Sequence, residues 1–560
     1  MGRSGDCIGS KLSHDSASRR AWFGIAETSI FWLLVAALIG VIVVTGPILT
    51  NDGPAHLNMG EFLRRVGDPA IPMLHRVYEV NPLLTPNALA HYILAALTYV
   101  LPPLPAEQLV QILCVVSLLV ATRRLLWRID PDAAWIALFF FPVALQYLFF
   151  LGLYNFCLSV TGCIVSIHIY LAFRERPAVP TACLLTAVLL ATLACQAFGW
   201  MEAIVAIGVL VSMDAASRLK DGAAFSAVVR QPAIVLLCIL PGLALFILFA
   251  LQGGTERQWL YTIPAWPRVA AILRGEAFAP MGRSTSIFSV LLGLMLIVMI
   301  VSGFRSAPAT NAAARRLVWA MAAVPAGFFA FALIIPDQAG GGWSHVPRAK
   351  VFPYIGLALV AALFPIHATL RMIAVGLATA AATTIIGMTL WLQISPIAAV
   401  ARDFDKVDRL IGPHCTLAPV LAQFKLTVGN PERLAYHPLF HLANRIELRF
   451  DRPVLFNYNA RLPIYPVRFR PEVDPQRLLF KWLPFQRDTN VYEIDTEGYT
   501  EATGIVVDYV LLGDVPGPDQ PGPFQTIRSV ALAHYALVHR SEDGRLELFR
   551  RSGPDGCAKP

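Results

Sequence analysis

The sequence predicts an α-helical polytopic membrane protein with a soluble domain at its C-terminal end. Of the 560 residues, 56% are hydrophobic and only 15% are charged, whereas soluble domains carry about 25% charged residues. The charge is unevenly spread, because residues 395–560 hold 40 of the 82 charged residues (45 basic plus 37 acidic). The net charge of +8 does not indicate nucleic-acid binding, since cytoplasmic loops of membrane proteins are rich in Lys and Arg.

Three regions follow from this division. We predict a cytoplasmic N-terminal tail over residues 1–28, a transmembrane domain over 29–394, and a soluble extracytoplasmic domain over 395–560. The first apolar run, 29–49, carries no charge and is long enough to cross the ~30 Å hydrocarbon core as a helix. No small-residue cleavage pattern follows it cleanly, so we interpret it as an uncleaved anchor.

The distribution of basic residues predicts the orientation of the helices. The run 88–101 is only 14 residues long and precedes a proline-rich turn, so we interpret it as a re-entrant or interfacial helix. With a cytoplasmic N-terminus, all four basic loops then lie inside, which gives about 11 crossings, or 12 if 88–101 also crosses. The later apolar runs are 105–122, 133–150, 154–173, 179–196, 200–216, 232–252, 286–304, 317–335, 351–369 and 372–394. The basic loops contain Arg123, Arg124 and Arg128; Arg174 and Arg176; Arg218, Lys220 and Arg230; and Arg305, Arg315 and Arg316.

A short polar cluster, residues 51–56, directly follows the first apolar run. It brings the carboxylate of Asp52 and the imidazole of His56 to the membrane surface, where ionisable groups are costly and typically functional. If the segment is helical, the two side chains lie on one face. A structural alternative remains open for both. Asp52 could cap a helix that begins at Pro54, and His56 has no second histidine at metal-ligand spacing.

The segment Asn51-Asp52-Gly53-Pro54-Ala55-His56-Leu57 resembles the first-loop motif of bacterial GT-C membrane glycosyltransferases. The segment Asn81-Pro82-Leu83-Leu84-Thr85-Pro86-Asn87 is similar to their proline-rich stretch before the second helix. The resemblance implies a GT-C-like fold with a long first extracytoplasmic loop, 50–87, in the bacterial inner membrane. It also implies a polyprenyl-phosphate-linked sugar as donor. The common acidic pair is here Asn51-Asp52, with a single carboxylate, which argues against a metal held by the second acid.

Sugar transfer from a polyprenyl phosphate needs a base for the acceptor hydroxyl and cations for the departing phosphate. Asp52 is the predicted base, with His56 beside it. Arginine suits the phosphate because it makes bidentate contacts. Basic residues next to an apolar run also occur simply as interfacial anchors, and the carboxylate of Glu202 could line the cavity or cap its helix. The predicted substrate- and phosphate-binding residues lie in or near the outer loops: Glu202, Arg257, Arg268, His345, Arg348 and Lys350.

The C-terminal domain is predicted to be mixed α and β. Residues 505–512 are typical of a strand, 534–549 of a hairpin about Asp543-Gly544, and 433–446 of a helix. Its two cysteines, Cys415 and Cys557, could form a disulfide if the domain lies outside the cytoplasm. No catalytic constellation is recognisable in this domain, so we expect it to position substrate or to contact a partner.

The sequence contains no phosphate-binding glycine loop, no CxxC pair and no HExxH helix. We therefore expect no ATP-driven pump. The predicted transfer requires no cofactor, because the leaving group is already a phosphate, and a divalent metal is optional. Two further classes stay open, namely a transporter or flippase for a lipid-linked or amphiphilic substrate, and a non-enzymatic membrane scaffold.

Overall fold

The computed structural model describes residues 6–83, 85–252, 260–276, 283–306, 312–338, 345–421, 436–482, 491–513, 524–553 and 557. The protein is mostly helical up to residue 410. Its elements there are α1 (Asp6–Thr45), α2 (Gly53–Arg65), α3 (Pro72–Val77), β1 (Tyr78–Val80), α4 (Leu89–Leu97), α5 (Pro103–Ile129), α6 (Phe141–Ala144), α7 (Tyr147–Phe150), α8 (Tyr154–Glu175), α9 (Val179–Cys195), α10 (Ala197–Lys220), α11 (Phe225–Gln252), α12 (Ala265–Leu273), α13 (Arg283–Ser306), α14 (Ala312–Ile334), α15 (His345–Ala349), α16 (Phe352–Ala361), α17 (Ala368–Ile394) and α18 (Pro396–Leu410).

Within the described ranges, seven helices are long and apolar enough to cross a membrane. Three shorter apolar helices accompany them, at Pro131–Ala144, Val179–Cys195 and Val318–Ile334. The long ones are Gly24–Thr45, Pro103–Ile129, Tyr154–Glu175, Ala197–Lys220, Phe225–Gln252, Ser286–Arg305 and Ala368–Ile394.

Among the described residues, seven long helices account for seven of the about 11–12 predicted crossings. The runs 179–196 and 317–335 correspond to the shorter apolar helices Val179–Cys195 and Val318–Ile334, and the run 351–369 contains the ten-residue α16. The run 133–150 is not one helix, because it divides into a 3₁₀ helix, Pro131–Phe140, followed by α6 and α7. Its side chains from Ala133 to Leu145 are all buried, so its apolarity reflects burial inside the bundle as well as membrane depth. The run 88–101 forms only the nine-residue α4, in agreement with the prediction that it does not cross as a full-length helix.

The bundle follows the packing rules of membrane helices. Phe31, Leu38 and Ile42 of α1 are fully buried, whereas Leu33 and Val44 on the opposite face are 69% and 84% exposed. This arrangement leaves one apolar stripe for lipid and one for the neighbouring helices.

The first loop, 50–87, folds together with the C-terminal domain. Strand β1 pairs antiparallel with β3 (Val467–Phe469). Asp451 accepts hydrogen bonds from the backbone N–H groups of Met73 and Leu74, at 2.9 and 2.8 Å, at the start of α3. The loop is therefore part of the surface that the C-terminal domain packs against.

The C-terminal domain contains a four-stranded sheet made of β2 (Leu417–Leu421), β6 (Tyr509–Gly513), β7 (Tyr535–Arg540) and β8 (Leu546–Arg551). The strands lie in the order β2-β6-β8-β7. Strand β6 is parallel to β2 and antiparallel to β8, and β8 is antiparallel to β7. Cys415 and Cys557, 142 residues apart, are joined by a disulfide beside this sheet. The other helices and strands of the C-terminal domain are α19 (Pro475–Leu478), β4 (Phe480–Trp482), β5 (Val491–Ile494), α20 (Thr496–Thr503) and α21 (Phe524–His534).

The structure confirms the predicted hairpin, which is β7–β8, with Gly544 at a φ of +69° in its turn. The predicted strand at 505–512 is β6, displaced towards residue 513. The predicted helix 433–446 is wrong over its described part, 436–446, where only the 3₁₀ helix Leu442–Arg445 forms. Pro438 accounts for this difference, because proline lacks an N–H group and disfavours a helical conformation in the residue before it.

Candidate functional site

Two glutamine side chains hold the chain where it leaves α1. Gln111 of α5 accepts a hydrogen bond from the N–H of Ile48 at 2.7 Å and donates one to the carbonyl of the same residue at 3.0 Å. Gln393 of α17 accepts from the N–H of Leu49 at 3.2 Å and donates to the carbonyl of Pro47 at 2.9 Å. These buried contacts satisfy the backbone of an irregular segment close to lipid, and they fix the position of the residues that follow.

A second contact fixes the backbone of Asp52 itself. Its N–H donates to the carbonyl of Leu151 at 3.0 Å. The next residue, Gly152, has a φ of +79°, and a β-carbon there would collide with the backbone of Gly53. The turn after α7 therefore requires glycine for two reasons, its backbone conformation and the close approach of Asp52.

The carboxylate of Asp52 does not cap α2. Asp52 occupies the N-cap position, but its side chain makes no capping hydrogen bond. It accepts hydrogen bonds from the side chains of Asn51 and Asn459 instead. The side chain is 14% exposed, and its Oδ1 lies 3.6 Å from Nε2 of His441. The carboxylate therefore does not fill the capping role that the sequence allowed, and it faces the C-terminal domain instead.

Burial raises the pKa of Asp52 to about 6. The hydrogen bonds from Asn51 and Asn459 and the positive charge of Arg348 offset part of this effect. The group is therefore ionised at neutral pH, and it is a stronger base than an ordinary aspartate. Both properties suit a group that accepts a proton.

His441 faces Asp52 with its Nε2. Its Nδ1 lies 3.1 Å from Oδ1 of Asn444. Burial lowers the pKa of His441 to about 4, so the ring is neutral at pH 7. Its Nε2 is buried and has no hydrogen-bond partner among the described residues.

His56 belongs to a different part of the network. Its Nδ1 lies 2.8 Å from Nε2 of His91, and Nδ1 of His91 lies 3.3 Å from the amide nitrogen of Asn155. Burial lowers the pKa of both histidines, that of His91 to about 3, so the pair is neutral. The ring of His56 also contacts Tyr154 and Tyr465, at centroid distances of 5.8 and 5.7 Å. These contacts join α2 to α4 and α8, which favours the structural alternative for His56.

Arg348 is the predicted cation whose charge acts on Asp52. It lies on α15 and is buried, with its guanidinium 5.6 Å from the ring centre of Phe198. Its Nε has no hydrogen-bond partner within the described part of the chain. His345, on the same helix, lies 5.0 Å from Phe198, and burial together with the charge of Arg348 lowers its pKa to about 3. Arg348 is thus the cation and His345 a neutral neighbour.

Arg268 and Lys350 are engaged elsewhere. Arg268 donates to the carbonyl of Ile263 at 2.8 Å and pairs with Asp337 at 3.2 Å, both buried. It therefore joins the segment before α12 to the end of α14. Lys350 pairs with Glu276 at 3.5 Å.

Of the two remaining predicted residues, the structure describes Glu202 only. Glu202 is buried in α10, and neither of its carboxylate oxygens has a hydrogen-bond partner among the described residues. Arg257 lies outside the described residues.

The sequence analysis missed the residues that the C-terminal domain supplies. His441, Asn459 and Tyr465 all interact with Asp52, and Tyr465 with Arg348 as well. The segments 437–441 and 463–470 combine histidines, prolines and aromatic residues between apolar stretches. That composition was the available signal.

One group of metal-ligand type occurs among the described residues, Cys415, Asp508 and Cys557. Its two cysteines form the disulfide.

The fold and the placement of the site define a GT-C-like integral membrane protein. Among solved structures, the chain is similar to apo ArnT from Cupriavidus metallidurans, a GT-C glycosyltransferase, with a TM-score of 0.50 and 11% identity. The match covers 95% of this chain and 100% of that one. It confirms the GT-C-like helical membrane fold that the resemblance implied, and at this identity it establishes the fold alone. No protein family and no curated protein matches the sequence.

Proposed function

We propose that this protein is a membrane glycosyltransferase that transfers a hexosyl or pentosyl group from a polyprenyl-phosphate-linked donor to an extracytoplasmic acceptor. The acceptor is a glycan, a lipid or a protein. One observation carries the proposal. A carboxylate at the exit of the first membrane helix is fixed through its backbone, is free of a capping role and has a raised pKa. The proposed chemistry needs a base, and these properties suit Asp52 to that role.

In the proposed reaction, the acceptor hydroxyl oxygen forms a bond to the anomeric carbon of the sugar. The bond between that carbon and the phosphate oxygen breaks, and polyprenyl phosphate leaves with the electron pair. The hydroxyl proton passes to Asp52, which is ionised before the step. The buried guanidinium of Arg348 stabilises the negative charge of the departing phosphate, because a fixed charge in a desolvated site acts strongly.

The same proposal includes the location and orientation. The Cys415–Cys557 disulfide supports an extracytoplasmic C-terminal domain, since disulfides persist in oxidising compartments. Because the domain shares the Asp52 site, the proposal includes a site on the outer face of the bacterial inner membrane and an N-terminus in the cytoplasm. The chemistry as written uses only side chains and requires no cofactor.

A second candidate function, transport of a lipid-linked or amphiphilic substrate, is favoured by Glu202. A buried carboxylate without a partner in a spanning helix is typical of proton-coupled pathways. The Asp52 site favours the enzyme, because its polar groups gather outside the spans, where the C-terminal domain meets the membrane domain.

The test is an Asp52→Asn substitution in a membrane assay that follows release of polyprenyl phosphate from a panel of radiolabelled polyprenyl-phosphate sugars. We expect turnover with one donor and a loss of about 10²- to 10⁴-fold in the variant. Glu472→Gln, on an exposed carboxylate of the C-terminal domain, is the control and should keep full activity. Equal turnover in Asp52→Asn would remove Asp52 as the base. An absence of turnover with every donor would favour transport.

A further inference from the structure

A cationic cavity of about 650 Å³ lies at the far end of α2 from Asp52. Helix α2 has 13 residues, which at about 1.5 Å per residue places roughly 20 Å between its ends. The cavity is therefore separate from the Asp52 site. Its lining residues are Leu63, Arg64, Arg65, Val66, Gly67, Asp68, Tyr99 and Arg449.

The position of Tyr99 places this cavity at the membrane surface. Tyr99 and Val100 are 70% and 78% exposed, and they directly precede α5, a candidate membrane span that begins at Pro103. Exposed tyrosines beside a span typically lie at the level of the lipid headgroups. The guanidinium of Arg64 lies 5.8 Å from the ring centre of Tyr99, whose hydroxyl donates to the carbonyl of Arg64. Arg64 is thus held at headgroup depth.

Two arginines in this cavity have hydrogen-bond donors that no described residue satisfies. Arg65 binds Asp68 through Nε and Nη2, at 3.0 and 2.7 Å, so its guanidinium is fixed. Its Nη1 and the Nε of Arg64 are buried and unpartnered within the described ranges. Buried donors of this kind are unfavourable unless a ligand accepts from them. These two donors are therefore available to a ligand that carries oxygen acceptors.

The lining of the cavity is mainly positively charged, which favours a negatively charged ligand. The three lining guanidinium groups face a single lining carboxylate, Asp68. Arg449 is 64% exposed at the rim and pairs with Glu447, which lies outside the lining. Arginines arranged in this way bind phosphate oxygens through forked hydrogen bonds.

We propose that this cavity binds the phosphate of an anionic membrane lipid, with the acyl chains beside Val66, Tyr99 and Val100. Phosphate oxygens would accept from Arg64 and Arg65, and Arg449 would close the rim. The exposed aromatic and aliphatic residues favour a lipid over free phosphate, because a soluble anion would gain nothing from them. The site is independent of the sugar-transfer reaction and anchors the first loop, and with it Asp52, to the bilayer surface.

The test uses the full-length protein in detergent micelles. Native mass spectrometry or a thermal-shift titration compares phosphatidylglycerol, phosphatidylcholine and inorganic phosphate. We expect phosphatidylglycerol to bind best and to bind about tenfold more weakly to an Arg64→Gln/Arg65→Gln variant. Arg477→Gln, on an exposed arginine of the C-terminal domain outside the cavity, is the matched control and should bind like the wild type.

A second substitution covers the case in which the double variant fails to fold. Tyr99→Leu keeps all three arginines and removes the aromatic ring, so it should weaken phosphatidylglycerol without affecting inorganic phosphate. Equal binding of phosphatidylglycerol to the wild type and to a folded Arg64→Gln/Arg65→Gln variant would overturn the site. Equal binding of phosphatidylcholine, or of inorganic phosphate at the same concentration, would overturn the assignment to an anionic lipid.

Discussion

In the C-terminal domain, Nε2 of His441 lies 3.6 Å from Oδ1 of Asp52, which belongs to the segment between α1 and α2. Parts of the chain that are remote in sequence thus meet at one carboxylate. The C-terminal domain completes the Asp52 site, in addition to any role in positioning substrate or contacting a partner. The burial that raises the pKa of Asp52 depends on this docking.

The pH dependence of turnover follows from the pKa of Asp52. Because burial raises that pKa from 3.8 to about 6, the base is ionised above pH 6 and protonated below it. We expect kcat/KM to be flat above about pH 7 and to fall about tenfold per pH unit well below pH 6. His441 adds no second limb near neutrality, since burial lowers its pKa to about 4. A profile that stays flat from pH 5 to 7.5, measured with the donor identified as above, would contradict this assignment.

The raised pKa of Asp52 also predicts a stability effect. Its pKa is higher in the folded state than in the unfolded state, so the native protein binds more protons between pH 3.8 and about 6. Stability is therefore lost as the pH rises through this window. A shift of about two pH units corresponds to about 3 kcal/mol at pH 7. Asp52→Asn removes this cost, and we expect its Tm at pH 7.5 to equal or exceed that of the wild type, in contrast to its loss of turnover. A clearly lower Tm would show that Asp52 is a structural residue.

Arg348 and Arg268 form a matched pair of buried arginines with different expected effects. Arg348→Gln removes a cation that acts on the Asp52 site, so we expect a loss of about 10²- to 10³-fold in kcat with the fold retained. Arg268→Gln leaves Asp337 buried without its ion-pair partner, and we expect it to destabilise the protein by about 3–5 kcal/mol. Turnover and size-exclusion profiles of both variants separate the two roles. Full activity in Arg348→Gln would exclude the proposed phosphate contact.

The membrane architecture and the β7–β8 hairpin could be predicted because both depend on local patterns. Long apolar runs indicate spanning helices, and alternating residues around Asp543-Gly544 indicate a hairpin. The run 133–150 shows the limit of this reasoning, since burial inside a bundle and exposure to lipid require the same residues. A long apolar run therefore does not by itself distinguish a spanning helix from a buried, broken one.

The candidate site could be predicted only in part, for a related reason. Asp52 is visible in sequence because it follows a membrane helix directly. His441 and Asn459 reach it from segments without helical or strand periodicity, and nothing local signals their proximity. Arg268 was predicted to bind substrate because of its positive charge, and the structure shows it buried in an ion pair instead. An arginine in an outer loop has the same sequence signature whether its guanidinium faces a substrate or is buried against carbonyl groups and Asp337.

The disulfide between Cys415 and Cys557 should stabilise the sheet that supports the Asp52 site. It connects the start of β2 to the end of the described chain, 142 residues apart, and so closes nearly the whole C-terminal domain. Disulfides that close long loops mainly restrict the unfolded state, and loss of one typically costs about 2–5 kcal/mol. We expect the Cys415→Ser/Cys557→Ser variant to have a lower Tm than the wild type, and dithiothreitol to lower the Tm of the wild type but not of the variant. The matched control is Cys183→Ser, which removes an exposed free thiol from the membrane domain. If reductant leaves the wild-type Tm unchanged while alkylation shows two free thiols at these positions, the domain does not reside in an oxidising compartment, and the proposed orientation fails with it.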